Sequence, residues 1–190
     1  MTIRGLLVDL DGTLVDTSGA NHAAYAAALA HFGINLDADW WRTNAFGRNW
    51  RAFLPELLEG RPDVDPRIIA EKKAALYSQH LSASRLNHGI AGLIAAVRPV
   101  LGTALVTTAS LASTLAVLAF HGVGGLFDEV VTGDDVSEHK PSPEGYSLAA
   151  GRLGLSPEEC LIIEDSPVGL AAARAFGSQC LLLCRSGGVE

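Results

Sequence analysis

The sequence predicts an α/β fold: a parallel sheet core with helices on both faces and an inserted helical module near its start. Three observations predict it. A short apolar run over residues 3–8 ends abruptly at two acidic residues, as a fully buried strand does. From about residue 87 onward, apolar runs of strand length alternate with stretches of helical period. Between about 16 and 86 no strand pattern occurs, so that block reads as helical.

The elements follow in order. Residues 21–32 are alanine-rich at helical spacing, with Gly33 as a stop. Residues 40–58 and 66–81 read as helices on either side of the turn Gly60-Arg61-Pro62-Asp63. Then come a helix over 90–97, a strand over 104–107, a helix over 111–121 and a strand over 129–132. A helix over 143–153, a strand over 161–163, a helix over 168–176 and a strand over 179–184 complete the chain. Right-handed crossovers set the carboxyl ends of the strands along one edge, where sheets of this kind hold their sites. That edge collects Asp9 and Asp11, Thr107 and Thr108, Asp134 and Asp135, and Glu164 and Asp165.

Composition narrows the function. Of 190 residues 48% are hydrophobic and 18% charged, which suits a buried core rather than disorder. The net charge is -7 and the 14 basic residues are scattered, so a nucleic-acid partner is not expected. An acidic protein binds an anion only at a locally positive site or through a metal, which directs attention to a cation and to oriented backbone amides. A signal peptide is not expected, because Asp9 cuts the first apolar stretch short. No Asp, Glu, Lys or Arg lies between Arg98 and Asp128, a span long enough to cross a bilayer. Pro99, Gly102 and the cluster Thr107-Thr108-Ala109-Ser110 break it, so a buried strand, a turn and a helix are expected instead of a membrane span. Cys160, Cys180 and Cys184 have no metal-ligand spacing and read as buried reduced thiols of a cytoplasmic protein. Cys180 and Cys184 could share one face of the last strand.

The acidic pairs carry the chemistry. In Asp9-Leu10-Asp11-Gly12-Thr13 the two carboxylates project to the same side of an extended segment. Adjacent carboxylates repel, a divalent cation relieves them, and oxygen-only ligands favour magnesium. Glu164-Asp165-Ser166-Pro167 supplies a second pair, and also the residues that cap a helix. Thr107 ends a strand before a helix, where a hydroxyl and free amides can cradle phosphate, though Thr108 or Ser110 there could simply cap the helix. Lys140, one of three lysines with Lys72 and Lys73, stands before Pro141 and Pro143, where a fixed ammonium could neutralise charge developing on a phosphoryl group.

In that order, Asp9-x-Asp11-Gly12-Thr13, Thr107 after an apolar strand, Lys140-Pro141-x-Pro143 and Glu164-Asp165-Ser166 resemble the four motifs of the haloacid dehalogenase-like superfamily. The resembling branch includes phosphoglycolate phosphatases and beta-phosphoglucomutases. The resemblance implies a Rossmann-like catalytic core over 1–15 and 87–190 and an inserted α-helical cap domain over 16–86, closing over the site as a lid. It implies that Asp9 attacks phosphorus to form an aspartyl-phosphate. It implies that Asp11 protonates the leaving oxygen and then activates water. Magnesium would be held by the Asp9 carboxylate, the Asp11 carbonyl and Asp165, with Glu164 nearby, and Thr107 and Lys140 would hold the phosphoryl group. Family dehalogenases lack an acid at the position of Asp11, so phosphate esters are expected over haloacids.

A phosphatase acting on a small phosphorylated metabolite is therefore expected, with a phosphosugar mutase as the alternative. A non-catalytic relative is disfavoured because no key residue is missing. In the cap, Thr17, Asn21, His22, Arg48, Arg51 and Lys73 are candidates to choose the leaving group. Lys73 followed by Tyr77 resembles a cap pair of the mutase branch, and Gly47-Arg48 sits where that branch has a substrate loop. Three positions depart from the family pattern: His139 replaces a usual glycine, Thr108 replaces a common asparagine, and Asn21 replaces a histidine that here comes one residue later as His22. The chain ends soon after its last predicted strand, which reads as a short variant, and a monomer or small homo-oligomer is expected.

Overall fold

A run of four apolar residues is buried on both faces only at the centre of a sheet, and Gly5–Val8 (β1) lies there. The computed structural model describes residues 2–184 apart from 46, 47 and 49. Two-residue strands β2 (Val15–Asp16) and β3 (Arg85–Leu86) form a separate pair. The main sheet adds β4 (Gly102–Val106), β5 (Glu129–Val131), β6 (Cys160–Glu164) and β7 (Gln179–Leu182). Its order is β5-β4-β1-β6-β7 and every pairing is parallel.

The register decides what meets at the carboxyl edge. Val8 pairs with Leu105 on one side and Ile163 on the other. One step further along each strand stand Asp9, Val106 and Glu164, with Thr107 next. The chain crosses away from β1 on both sides, which opens a crevice at its carboxyl end.

Two units are resolved by packing, Met1–Asp16 with Leu86–Glu190, and Thr17–Arg85. The first is centred on Leu7, Val106, Ile162, Tyr146 and Ala172. Its helices include Leu111–His121, Glu144–Leu153 and Pro167–Phe176. Ser110 and Ser166 cap the first and last of these by accepting from the amides of Ser113 and Gly169. The second unit is helical and packs around Tyr25, Trp41 and Phe53, whose rings lie 5.2–5.7 Å apart.

Several expectations are corrected. The predicted helix 40–58 is broken: Ala38–Trp40 leads into a π-helical turn, Trp41–Ala45, and a separate helix runs over Trp50–Leu57. Asp37 starts the first piece by accepting from the amides of Asp39 and Trp40, and the wider turn aims Trp41 and Ala45 into the core. The predicted helix 66–81 is α-helical only to Leu76 and tightens into a 3₁₀ helix over Tyr77–Ala83. The last strand stops at Leu182 rather than 184, so Cys184 lies past it and is exposed. Only Cys160 is a buried thiol, with Cys180 half-buried and all three cysteines free. Among the described residues no helix is long and apolar enough to cross a membrane.

Candidate active site

Asp9 leaves β1 as the first residue past the strand, its amide still bonded to the carbonyl of Ile163. The chain then folds back at once. The amide of Gly12 donates to Val15, and those of Leu14 and Val15 donate to Asp9 and Leu10. Gly12 adopts φ +94°, a conformation open to glycine and strained for other residues. This tight loop holds Asp9 and Asp11 at the crevice.

Lys140 joins the strands. Its ammonium donates to Oδ1 of Asp9 at 2.6 Å, to Oε1 of Glu164 at 2.7 Å and to the carbonyl of Val106 at 3.0 Å. An ammonium has three N–H groups, so its donors are taken up in holding Asp9 between two neighbouring strands. Direct contact with a phosphoryl group, expected from the sequence, would require one of these bonds to be exchanged.

Glu164 is wholly buried. Its Oε1 accepts from Lys140 and from the hydroxyl of Tyr146 at 2.8 Å. Its Oε2 accepts from the amides of Asp165 and Ser166 and from the Ser166 hydroxyl. The carboxylate thus nests at the start of the helix Pro167–Phe176, whose dipole favours negative charge. Gly169 makes the room: a Cβ there would stand 1.9 Å from the Glu164 carboxylate. Sequence reasoning missed both Tyr146 and Gly169. The only local signal was a tyrosine on the apolar face of a helix.

Thr107 is buried. Its hydroxyl donates to Oδ2 of Asp11 at 3.3 Å and accepts from the amide of Ala109 at 3.0 Å. Thr108 is exposed beside it. Asp134 and Asp135, expected at the same edge, are engaged otherwise. Asp134 accepts from the amide of Leu111, and Asp135 from the amide and hydroxyl of Thr132 and from Arg152. They fasten helix and turn starts rather than lining the crevice.

Asp9, Glu164 and Asp165 each offer a carboxylate oxygen, and these oxygens lie within 4.8 Å of one another. Burial pushes the Asp9 carboxyl up to about 7; Lys140 pulls it back, and Glu164 and Asp11 add to the rise. Burial opposes the charge on Lys140 as well, but Asp9 and Glu164 outweigh it and hold the ammonium above the ordinary lysine value. Glu164 stays below the usual carboxylate range despite burial, chiefly because of Lys140. Clustered acids of this kind, set against the Lys140 ammonium, suit a divalent cation. A divalent cation between Asp9 and Asp165 would lower the cost of ionising Asp9, so the donor set fits one.

The cap candidates lie in the helical unit. Asn21 donates to the hydroxyl of Thr17, which is buried. His22 packs against Trp41 at 5.6 Å, and Arg51 lies over the ring of Trp50. Arg48 is exposed and makes a two-point ion pair with Glu56 at 2.6 and 2.9 Å. The Lys73 ammonium lies over the Tyr77 ring at 4.1 Å. Gly47 lies outside the described residues.

The family model of haloacid dehalogenase-like hydrolases matches residues 3–177. The chain is 31% identical over 173 residues to fructose-1-phosphate phosphatase YqaB of Escherichia coli strain K12, covering 91% of this chain and 92% of that protein. It is 32% identical to hexitol phosphatase A of the same organism, covering 93% and 81%. Among solved structures, CbbY from Rhodobacter sphaeroides in complex with phosphate superposes with a TM-score of 0.81 at 29% identity, covering 95% and 86%.

Proposed function

The chain belongs to the haloacid dehalogenase-like hydrolases and is an enzyme, and from that membership we propose a magnesium-dependent phosphatase of small sugar phosphates with Asp9 as its nucleophile. The observation that carries the reading is the convergence of Asp9, Lys140, Glu164 and Asp165 from three separate stretches of chain. The names of similar proteins, a fructose-1-phosphate phosphatase and a hexitol phosphatase, support a sugar phosphate as substrate.

A carboxylate oxygen of Asp9 attacks phosphorus, and the bond from phosphorus to the ester oxygen breaks. Asp11 gives its proton to the departing oxygen. Water then gives a proton to Asp11 and attacks the same phosphorus, the bond to Asp9 breaks, and inorganic phosphate leaves. Thr107 orients Asp11 through its hydroxyl, and Lys140 orients Asp9 and offsets charge on the phosphoryl oxygens. Asp9 and Asp165 would hold magnesium, with the Asp11 carbonyl as a third oxygen. The cation, when bound, neutralises phosphoryl charge. Glu164 acts beside it by anchoring Lys140. Choice of leaving group is assigned to the helical unit, with Thr17, Arg48 and Lys73 as its polar candidates.

Phosphate release from fructose 1-phosphate, hexitol phosphates and phosphoglycolate, measured with and without magnesium, tests the reading. Wild-type protein is expected to release phosphate only with magnesium, and Asp9→Asn to lower the rate by about a thousandfold or more. Conversion of a phosphosugar to its isomer with little free phosphate would replace the phosphatase by the mutase. Neither phosphate release nor isomer formation from any ester would sink both.

A further inference from the structure

Tyr146 sits on the helix Glu144–Leu153 with no exposed surface. Its ring belongs to the apolar core, among Val106, Ala149 and Ile162. Its hydroxyl does not, since a phenylalanine would fill that space without burying a polar group. The hydroxyl donates to Oε1 of Glu164, the same oxygen that receives Lys140. Burial and the neighbouring Glu164 push its pKa far up, so it stays a neutral donor. The Lys140 ammonium lies 5.0 Å from the centroid of the ring.

We infer that Tyr146 is a positioning residue for the phosphoryl-transfer site, whose hydroxyl, by sharing Oε1 of Glu164 with Lys140, keeps the ammonium against Asp9. The inference rests on the phosphatase reading for the chemistry it serves, but its geometry stands apart from that reading. Lys140 is triangulated by Asp9, Glu164 and the Val106 carbonyl. When Oε1 carries two donors, its charge is divided between them. Without the hydroxyl that charge falls on Lys140 alone, which draws the ammonium toward Glu164 and away from Asp9. The ring beneath Lys140 stays in place in Tyr146→Phe, so the substitution isolates the hydroxyl.

A double-mutant cycle with Glu164→Gln tests the inference, read by kcat and KM for p-nitrophenyl phosphate with magnesium. Tyr146→Phe should lower kcat by about tenfold with KM nearly unchanged. In the Glu164→Gln background the same substitution should change kcat by less than about twofold. Equal losses in both backgrounds, or no loss in either, would overturn it. Direct Mn²⁺ titration should give Tyr146→Phe an affinity no weaker than wild type, because the hydroxyl touches neither Asp9 nor Asp165; weakened Mn²⁺ binding would mean general damage to the site and also overturn it. A readout without turnover covers failure of the phosphatase reading or of Glu164→Gln to fold. The ¹⁵N resonance of the Lys140 ammonium should be protected from water exchange in the wild type and exposed to it in Tyr146→Phe. An unchanged resonance refutes the positioning role even if wild-type protein turns over no ester.

Discussion

The ammonium of Lys140 lies 2.6 Å from Oδ1 of Asp9, across 131 residues of sequence. Both side chains are nearly buried, at 10% exposure each, and Glu164 beneath them is fully buried. One cation thus stands between two carboxylates in a place water hardly reaches. Removing it leaves both acids without their counter-charge.

Lys140→Met should therefore affect folding as well as turnover. Breaking a buried pair by removing one partner costs about 3 kcal/mol or more, because the other charge stays behind. Urea unfolding should show that loss, and phosphate release should fall by about a hundredfold. A variant that is inactive yet as stable as wild type would show that the pair is far more hydrated than its burial implies.

Asp135 carries the pH dependence whose sign is clearest. Its carboxylate accepts from the amide and hydroxyl of Thr132 and from Arg152, and these bonds, the Thr132 amide first, hold it below the ordinary aspartate value of 3.8. A depressed carboxyl stabilises the fold above its unfolded value, and that stability is lost as pH falls through its folded value. Asp135→Asn should cost about 1 kcal/mol at pH 7, because hydrogen bonds from Thr132 and Arg152 to a charged acceptor are stronger than those to a neutral amide. The gap between variant and wild type should close below about pH 4. A gap that persists in acid would mean that the ionised carboxylate is not what stabilises the turn.

Acids that follow a buried strand divide into those that reach the crevice and those that fasten a neighbouring turn. Asp9, Asp11, Glu164 and Asp165 were legible because each pair follows a short apolar run, and such a run must be a buried strand that ends at the edge. Asp134 and Asp135 follow a strand too, yet they fasten Leu111 and Thr132. The sequence pattern is the same, and only the direction of the side chain differs. Tyr146 was invisible for a related reason. Its helical spacing reports the buried ring, while the hydroxyl finds its partner 18 residues away on another element. The break in the predicted helix 40–58 was hidden because a π turn keeps apolar residues near helical spacing.

The three thiols should separate by reactivity. Burial pushes Cys160 up to about 11, and its thiol donates to the carbonyl of Ser156. Cys180 is half-buried and also raised by burial, whereas Cys184 is exposed. At pH 8 a disulfide reagent such as DTNB should label Cys184 quickly in native protein and Cys160 only after unfolding. Peptide mass mapping reads the order, and early labelling of Cys160 would contradict the packing described for β6.

Gly169 and Gly151 set two opposing effects against each other. Both lie inside helices, where glycine to alanine gains up to about 1 kcal/mol of helix propensity. At Gly151 a new Cβ would meet nothing within 4 Å, so Gly151→Ala should stabilise the protein and leave turnover unchanged. At Gly169 the same Cβ would stand 1.9 Å from the Glu164 carboxylate. That carboxylate cannot swing aside freely, because Lys140, Tyr146, Ser166 and the amide of Asp165 all hold it. The clash must displace Glu164 or the helix start, and either movement shifts Lys140 from Asp9. Gly169→Ala should thus lose about 2 kcal/mol by urea unfolding despite its better propensity. Its kcat should fall by about tenfold or more, since a displacement near 1 Å at a reacting group costs that much. Were Gly169→Ala to behave like Gly151→Ala in both measurements, the carboxylate would not occupy the nest at the start of this helix, and the anchoring of Lys140 would have to be sought elsewhere.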